Sequence, residues 1–359
     1  MVTVLSWDIG GANTKAAFLK TKNGKIVEFK TAIEYFPFWK RNINQFCDLL
    51  TNLKGDVSGS TKVDRVSVTM TAELSDAYRT KREGVHHILN CVTKIFADSP
   101  IAVLAVDGRL LSIKAAKLAP LKVASANWVA TAWLISQYLS DCVVVDVGST
   151  STSITPIING KVAAEGKTDL EKLSNGELVY TGSLRTNVAA IVSSVPLRGK
   201  KVRVSSELFA QSGDVHLILG NITEAEYTCE TADGKGKTLH EALARLARIV
   251  CADTEMLAEK EIVQLAQYIY SRQLSQIAEG ITQVYSKLNA NAKTITPIVV
   301  TGLGKEFLAK KAAKKAKIKK IIDINEFTPA SVAVLSPAVG LAWMTAVKVE
   351  GERRLIWTP

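Results

Sequence analysis

Asp8 and Lys15 flank a glycine turn. The stretch SWDIGGANTKAAF, residues 6–18, leads an apolar strand into Asp8, Gly10 and Gly11, then Asn13, Thr14 and Lys15. Glycines permit backbone torsions that a Cβ forbids. Such a turn can present amide N–H groups to an anion, with Asn13, Thr14 and Lys15 as side-chain donors. Asp8, at the strand end, is placed to hold a metal or to polarise a water. This is the chemistry of gripping a phosphate. An ordinary tight turn is the alternative, because a glycine-rich match says little without context.

The context is a repeat. CVVVDVGSTSTSITPIINGKVAAEG, residues 142–166, repeats the layout: strand, Asp146, Gly148, then the hydroxyls of Ser149, Thr150 and Thr152. Each copy continues into a hairpin, with Asn23-Gly24 in the first and Asn159-Gly160 in the second. A third piece, TPIVVTGLGKEFLAKKAAKK, residues 296–315, runs from a strand through Gly302 and Gly304 into a helix. Helix N-terminal amides add anion affinity there.

Other candidates lie outside these turns. Glu73 in TAELSDAYR follows a strand end, as a base or as a helix N-terminal carboxylate. Arg79 and Arg82 offer anion-binding guanidinium groups or surface ion pairs. Tyr180, Thr181 and Arg185 crowd NGELVYTGSLRT, residues 175–186, as pocket donors or as a satisfied connecting loop. Asp233 in CETADGKGKT is a ligand candidate or part of a flexible tip.

The elements that must position these groups alternate. Strands are predicted at residues 2–9 and within VDRVSVTMT and PIAVLAVDGRLL; helices are predicted in RNINQFCDLLTNL, REGVHHILNCVTKIF and ASANWVATAWLISQYL. This alternation implies an α/β layered domain. Two similar halves, each opening on an anion-gripping hairpin, predict a duplicated fold with a central cleft. The lobes are read as 1–141 and 142–359, with an insertion at about 167–238 and a C-terminal helix at about 331–348 entered at Pro337. The helix-rich stretch 239–288 reads as packing or subunit contact in a homo-oligomer.

Composition narrows the class. The chain has 359 residues, 47% of them hydrophobic, and a net charge of +11 from 45 basic and 34 acidic residues. Its mean hydropathy of +0.13 indicates a globular protein. The positive charge suits anionic ligands. The lysine run KKAAKKAKIKK lacks interleaved aromatics, so it reads as a solvated helix face and nucleic acid is not expected. Five cysteines show no paired spacing, which predicts neither a disulfide framework nor a zinc site and suits a reducing cytoplasm. His86 and His87 are expected one core-facing and one exposed. No signal peptide is expected, and the apolar stretch 330–347 reads as a buried helix, not a membrane span.

The three glycine segments together resemble the actin-like, sugar kinase and heat-shock ATPase superfamily, a ribonuclease H-like α/β fold. WDIGGANTK matches its first phosphate loop, VDVGSTSTS the second and VVTGLGKEFLA the nucleotide-edge loop; SPAVGLAW resembles its returning C-terminal helix. Longer blocks, including TAELSDAYRTKREGV, ANWVATAW, GKTDLEKLSNGELVYTGSLRT and SSELFAQSGDVHLILG, resemble a family linked to tetrahydromethanopterin-dependent one-carbon metabolism, with hydantoinase/oxoprolinase-like loops and archaeal members that make methanofuran. That resemblance implies a transferase joining an (aminomethyl)furan-methyl diphosphate to the phenol of γ-glutamyltyramine. The products are an aryl ether and diphosphate, and no ATP is required. It implies that the glycine loops and Lys15 grip diphosphate, that Asp8 and Asp146 hold Mg²⁺, and that Glu73 takes the phenol proton. Arg79 and Arg82 would then bind diphosphate or the glutamyl carboxylate, with Tyr180, Thr181, Arg185 and Asp233 near the amine substrate. One departure is Ser153, where related second loops commonly carry Asp; this leaves Asp146 or water for the metal. The loops alone also fit an ATP-dependent small-molecule kinase, an amidohydrolase, or a non-catalytic nucleotide-binding partner of one-carbon enzymes.

Overall fold

A computed structural model describes residues 1–289, 296–351 and 355–357. In chain order it begins with β1 (Val2–Ile9), β2 (Asn13–Lys22), β3 (Lys25–Tyr35), α1 (Phe46–Ser58), β4 (Arg65–Met70) and α2 (Lys81–Ile95). Next come β5 (Ile101–Leu104), β6 (Leu110–Ser112), α3 (Ile113–Leu118), α4 (Asn127–Ser136), β7 (Cys142–Val147), β8 (Thr152–Ile158), β9 (Lys161–Val162), α5 (Asp169–Asn175) and β10 (Leu178–Val179). There follow α6 (Val188–Ile191), β11 (Ser194–Leu197), β12 (Lys200–Arg203), α7 (Ser212–Ile218), α8 (Leu239–Arg248) and α9 (Glu259–Asn289). The chain closes with β13 (Ile298–Thr301), α10 (Lys310–Lys315), β14 (Ile321–Asp323), α11 (Val332–Glu350) and β15 (Ile356–Trp357).

Two compact units result. The first comprises Met1–Val144, Thr155–Lys172 and Ile324–Pro359; the second comprises Val145–Ile154 and Leu173–Asp323. The division therefore differs from a single boundary at 141/142. The C-terminal helix, read as part of the second lobe, belongs to the first unit, because its apolar surface packs on α4 and β1.

In the first unit one sheet runs β15-β3-β2-β1-β4-β5-β6. β1 pairs antiparallel with β2 and parallel with β4, the arrangement expected of a ribonuclease H-like half. Strand alternation separates its two faces. Trp7, Ile9, Ala16 and Phe18 enter a core with Phe46, Leu50, Val85 and Ile88 from α1 and α2. On the other face Ser6 donates a hydrogen bond to the Ala338 carbonyl of α11. There α11 also meets α4, and Gly340 permits the approach: a Cβ would overlap the Ala130 carbonyl. Pro337 sits inside α11, not at its entry. This helix is the one described helix long and apolar enough to cross a membrane, and 78% of its apolar window is buried in the fold.

A second sheet runs β10-β8-β7-β13-β14, with β9 beside β8. The insertion helices α6 and α7 pack with α8 against the long α9, burying Val188, Val215, Leu246, Leu265 and Ile269. Cys47 of α1 and Cys91 of α2 form a disulfide, contrary to the unpaired reading of the cysteines. Spacing of 44 residues carries no pairing signal; the packing of α1 on α2 supplies it.

Candidate functional site

The repeat seen in sequence is a repeat of hydrogen bonds. The Gly10 amide donates to the Asn13 carbonyl at 3.0 Å, and the Gly148 amide to the Ser151 carbonyl at 2.9 Å. Both following hairpins turn through left-handed Asn-Gly pairs, Asn23-Gly24 and Asn159-Gly160. Neither Gly10 nor Gly11 has a positive φ. Gly10 is needed for closeness instead, since a Cβ would lie 2.8 Å from the Asn13 carbonyl oxygen, while at Gly11 it would meet nothing within 4 Å. Among the described residues, the Gly11 and Ala12 amides make no backbone hydrogen bond in this turn.

Asp8 and Lys15 face each other across β1 and β2, with Lys15 Nζ 3.5 Å from Asp8 Oδ2. Burial holds the Asp8 carboxyl above its ordinary range, against the pull of Lys15 and a hydrogen bond from Asn127. Asp8 Oδ1 is buried without a hydrogen-bond partner, and so is the neighbouring Thr69 hydroxyl. Thr14 does not join them. It pairs with Ile9, one residue out of phase with Lys15, so it shares the opposite face with Ala16 and Phe18.

Glu73 lies just beyond β4, on a short 3₁₀ turn, and is 1% exposed. Gly84 of α2 lets that turn settle on the helix; a Cβ there would lie 2.8 Å from the Glu73 carbonyl oxygen. Ser125 Oγ lies 2.8 Å from Glu73 Oε1 and 2.6 Å from Asp169 Oδ2. Lys81 Nζ stands 2.7 Å from Asp169 and 3.8 Å from Glu73. Burial pushes the Glu73 carboxyl up to about 7, opposed by the Lys81 charge and the Ser125 hydroxyl. Thr71 ties this cluster to the first hairpin, its amide donating to the Ile9 carbonyl at 2.8 Å. Ser125 and Asn127 complete the link, one reaching Glu73 and the other Asp8.

In the second unit Asp146 is half-buried beside Gly302. Gly302 has φ +88°, and a Cβ there would overlap both Asp146 Oδ1 and the Val147 carbonyl. Gly304 donates its amide to that same carbonyl at 3.0 Å. The glycines of the third segment therefore press on the second hairpin. The loop at 181–186 does so too: Ser183 donates its amide to the Gly148 carbonyl, and Leu184 and Arg185 donate theirs to the Ser149 carbonyl. Arg185 Nη1 donates to Thr150 Oγ1 at 2.9 Å.

Several candidates have structural employment. Thr152 is buried and donates its hydroxyl to the Thr181 carbonyl, so it is not a phosphate donor. Thr181 is buried too; its hydroxyl accepts from Gln273 and donates to Thr186, which removes it from any pocket wall. Asp233 is paired with Arg245 and Arg248 and fastens its loop, so it is not a ligand. Tyr180, Arg79 and Arg82 are exposed. His86 and His87 are both half-buried, with His86 against the Lys117 carbonyl and His87 against the Tyr78 hydroxyl. Among the described residues no three His, Cys, Asp or Glu side chains group as a metal site.

The chain matches the hydantoinase/oxoprolinase family over residues 64–346. It belongs to that family. This hydantoinase/oxoprolinase-family chain is 40% identical over 342 residues to the (4-{4-[2-(gamma-L-glutamylamino)ethyl]phenoxymethyl}furan-2-yl)methanamine synthase of Methanocaldococcus jannaschii, covering 95% of this chain and 97% of the relative. A synthase of the same name from Methanococcus vannielii is 36% identical over 204 residues, covering 56% of this chain and 89% of the relative. An acetone carboxylase structure solved without nucleotide aligns with TM-score 0.57 at 11% identity, over 95% of this chain and 70% of that one. That likeness, with the strand orders above, places the family member in the actin-like ATPase fold. What the motifs missed in it are Lys81, Ser125, Asn127 and Asp169. Lys81, Asn127 and Asp169 fall inside the longer family-like blocks, and Lys81 and Asp169 stand in the first turns of α2 and α5, where neither residue type marks a site by itself.

Proposed function

We propose that the chain is the ether-forming transferase of methanofuran synthesis, joining an (aminomethyl)furan-methyl diphosphate to the phenol of γ-glutamyltyramine and releasing diphosphate. The observation that carries this reading is the 40% identity, over 95% of the chain, to a synthase whose name states that ether product. The site chemistry agrees with it. The furan-bearing carbon gains positive character as its bond to diphosphate breaks, and the ring oxygen supplies electron density. The barrier then depends on stabilising charge on the leaving oxygens, for which fixed amides and a lysine are suited. The Gly11 and Ala12 amides and Lys15 of the first hairpin supply these donors, and Lys15 offsets diphosphate charge from beside Asp8.

Mg²⁺ fits one observation directly: Asp8 Oδ1 is a buried carboxylate oxygen without a partner. Asp8 would hold the ion, and it would neutralise phosphoryl oxygen charge. A phenol has an ordinary pKa near ~10, so at neutral pH it gains from a base. Glu73, with its carboxyl pushed up to about 7, is matched to accept that proton. The enzyme so described takes small-molecule substrates and works in the cytoplasm.

Mass spectrometry of the purified protein tests this. The furanmethyl diphosphate, γ-glutamyltyramine and Mg²⁺ are supplied with and without ATP. An ether product with diphosphate release, independent of ATP, is expected. ATP consumption without ether would move the chain to the kinase or amidohydrolase chemistry of its fold.

A further inference from the structure

The contacts of Ser125 contain one proton too few. Its Oγ sits 2.8 Å from a Glu73 oxygen and 2.6 Å from an Asp169 oxygen. A hydroxyl carries one proton and an ionised carboxylate carries none. The serine proton can fill only one of these contacts. A second proton must reside on one of the carboxyl groups. Asp169 has the Lys81 ammonium at 2.7 Å. Glu73 is the buried member, and Lys81 is further from it, at 3.8 Å. Lys81 Nζ also donates to Ser125 Oγ, at 3.3 Å. With the second proton on Glu73, Glu73 would donate to Ser125 and Ser125 to Asp169, the loaded form of the cluster.

We propose that Glu73, Ser125 and Asp169 form a proton relay leading out of the reacting site, with Lys81 holding its outer end. This rests on the ether-forming reading above. As the aryl oxygen bonds to the furan-bearing carbon, the carbon–oxygen bond to diphosphate breaks and diphosphate keeps its electron pair. The phenol proton passes to the Glu73 carboxylate. It then moves to Ser125 Oγ while the serine proton moves to Asp169 Oδ2, and Asp169 passes it to water. The Asp169 and Lys81 side chains are each 22% exposed, whereas the Glu73 side chain is fully buried, so only the outer end meets solvent. Ser125 has φ +51°, a left-handed conformation that L residues avoid, and this conformation accompanies a hydroxyl set between two carboxyls. The groups that act electrostatically on Glu73 are Lys81 of α2 and Asp169 of α5, and Glu73 in turn acts on the phenol of Tyr78.

The test uses Ser125→Gly, which removes the hydroxyl yet tolerates the left-handed backbone, and Asp169→Asn. Glu73 ionisation is followed by infrared difference spectroscopy of the substrate-free protein, assigned with Glu73→Gln, alongside the pH profile of kcat. Asp169→Asn should move the Glu73 titration to lower pH, because a neighbouring negative charge is gone. Ser125→Gly should move it to higher pH and lower kcat by about tenfold or more at nearly constant KM, part of the range general-base catalysis spans. Titrations that stay at the wild-type position in both variants would overturn the relay, as would an unchanged kcat profile in Ser125→Gly. A wild-type protein that makes no ether refutes the ether-forming reading separately. The spectroscopic shifts would still decide whether the three groups exchange a proton.

Discussion

Replacing Glu73 by Gln exchanges a buried titratable group for a neutral one of the same shape. In the unfolded chain the carboxyl loses its proton near 4.5, and burial delays this to about 7 in the folded protein. Between those values the folded state binds more protons than the unfolded state. Stability therefore falls as pH rises through the window and is fully retained only below it. At 1.36 kcal/mol per pK unit, the ionised Glu73 costs the native state about 3 kcal/mol by pH 8. Gln carries no such cost. The stability of Glu73→Gln relative to wild type should thus grow by about 3 kcal/mol between pH 4 and pH 8. Urea unfolding followed by tryptophan fluorescence is the suitable assay. Trp7, Trp39, Trp128, Trp133, Trp343 and Trp357 all lie in the first unit, which contains Glu73. A difference between the two proteins that stays flat with pH would refute the reasoning.

Asp8→Asn should lower single-turnover ether formation by about 100-fold, as loss of a charge-organising group does. Its melting temperature should hold or rise, because burial already disfavours the Asp8 charge. Gly302→Ala should destabilise by about 1–3 kcal/mol in chemical unfolding, since its φ of +88° and the overlap with Asp146 and Val147 both oppose a Cβ. Gly160→Ala, with φ +70° but nothing within 4 Å, should cost less in the same experiment. His216 is pushed down to about 3 by burial, so the unfolded chain takes a proton below about 6.5 that the folded protein refuses. The stability this contributes is present above 6.5 and lost as pH falls; His216→Gln should flatten that acid loss. Amide exchange in residues 181–186 should rise in the same variant, because His216 orients Gln273, whose amide holds Thr181 and the Gly182 carbonyl.

Sequence order was enough for the two hairpins. Strand alternation, an Asp at the strand end, a glycine turn and an Asn-Gly return are local signals, and each copy states them within a few dozen residues. The same locality misled at Thr14 and Thr152. Both sit in hydroxyl-rich turns, yet strand phase sends Thr14 to the face packed on α1 and α2 and Thr152 to the Thr181 carbonyl. Asp233 looked like a loop ligand because the arginines that satisfy it arrive from α8, 12 and 15 residues onward.

By itself, then, the sequence determined the α/β alternation and the duplicated Asp-x-Gly hairpins. These depend on torsions and periodicities that neighbouring residues control. Only the tertiary structure decided that Glu73 shares a serine with Asp169. Ser125 is 52 residues from Glu73 and 44 from Asp169, and Lys81 is 88 from Asp169. No local pattern records such distances. Burial then gave the cluster its chemistry, since removing water from a carboxyl raises its proton affinity.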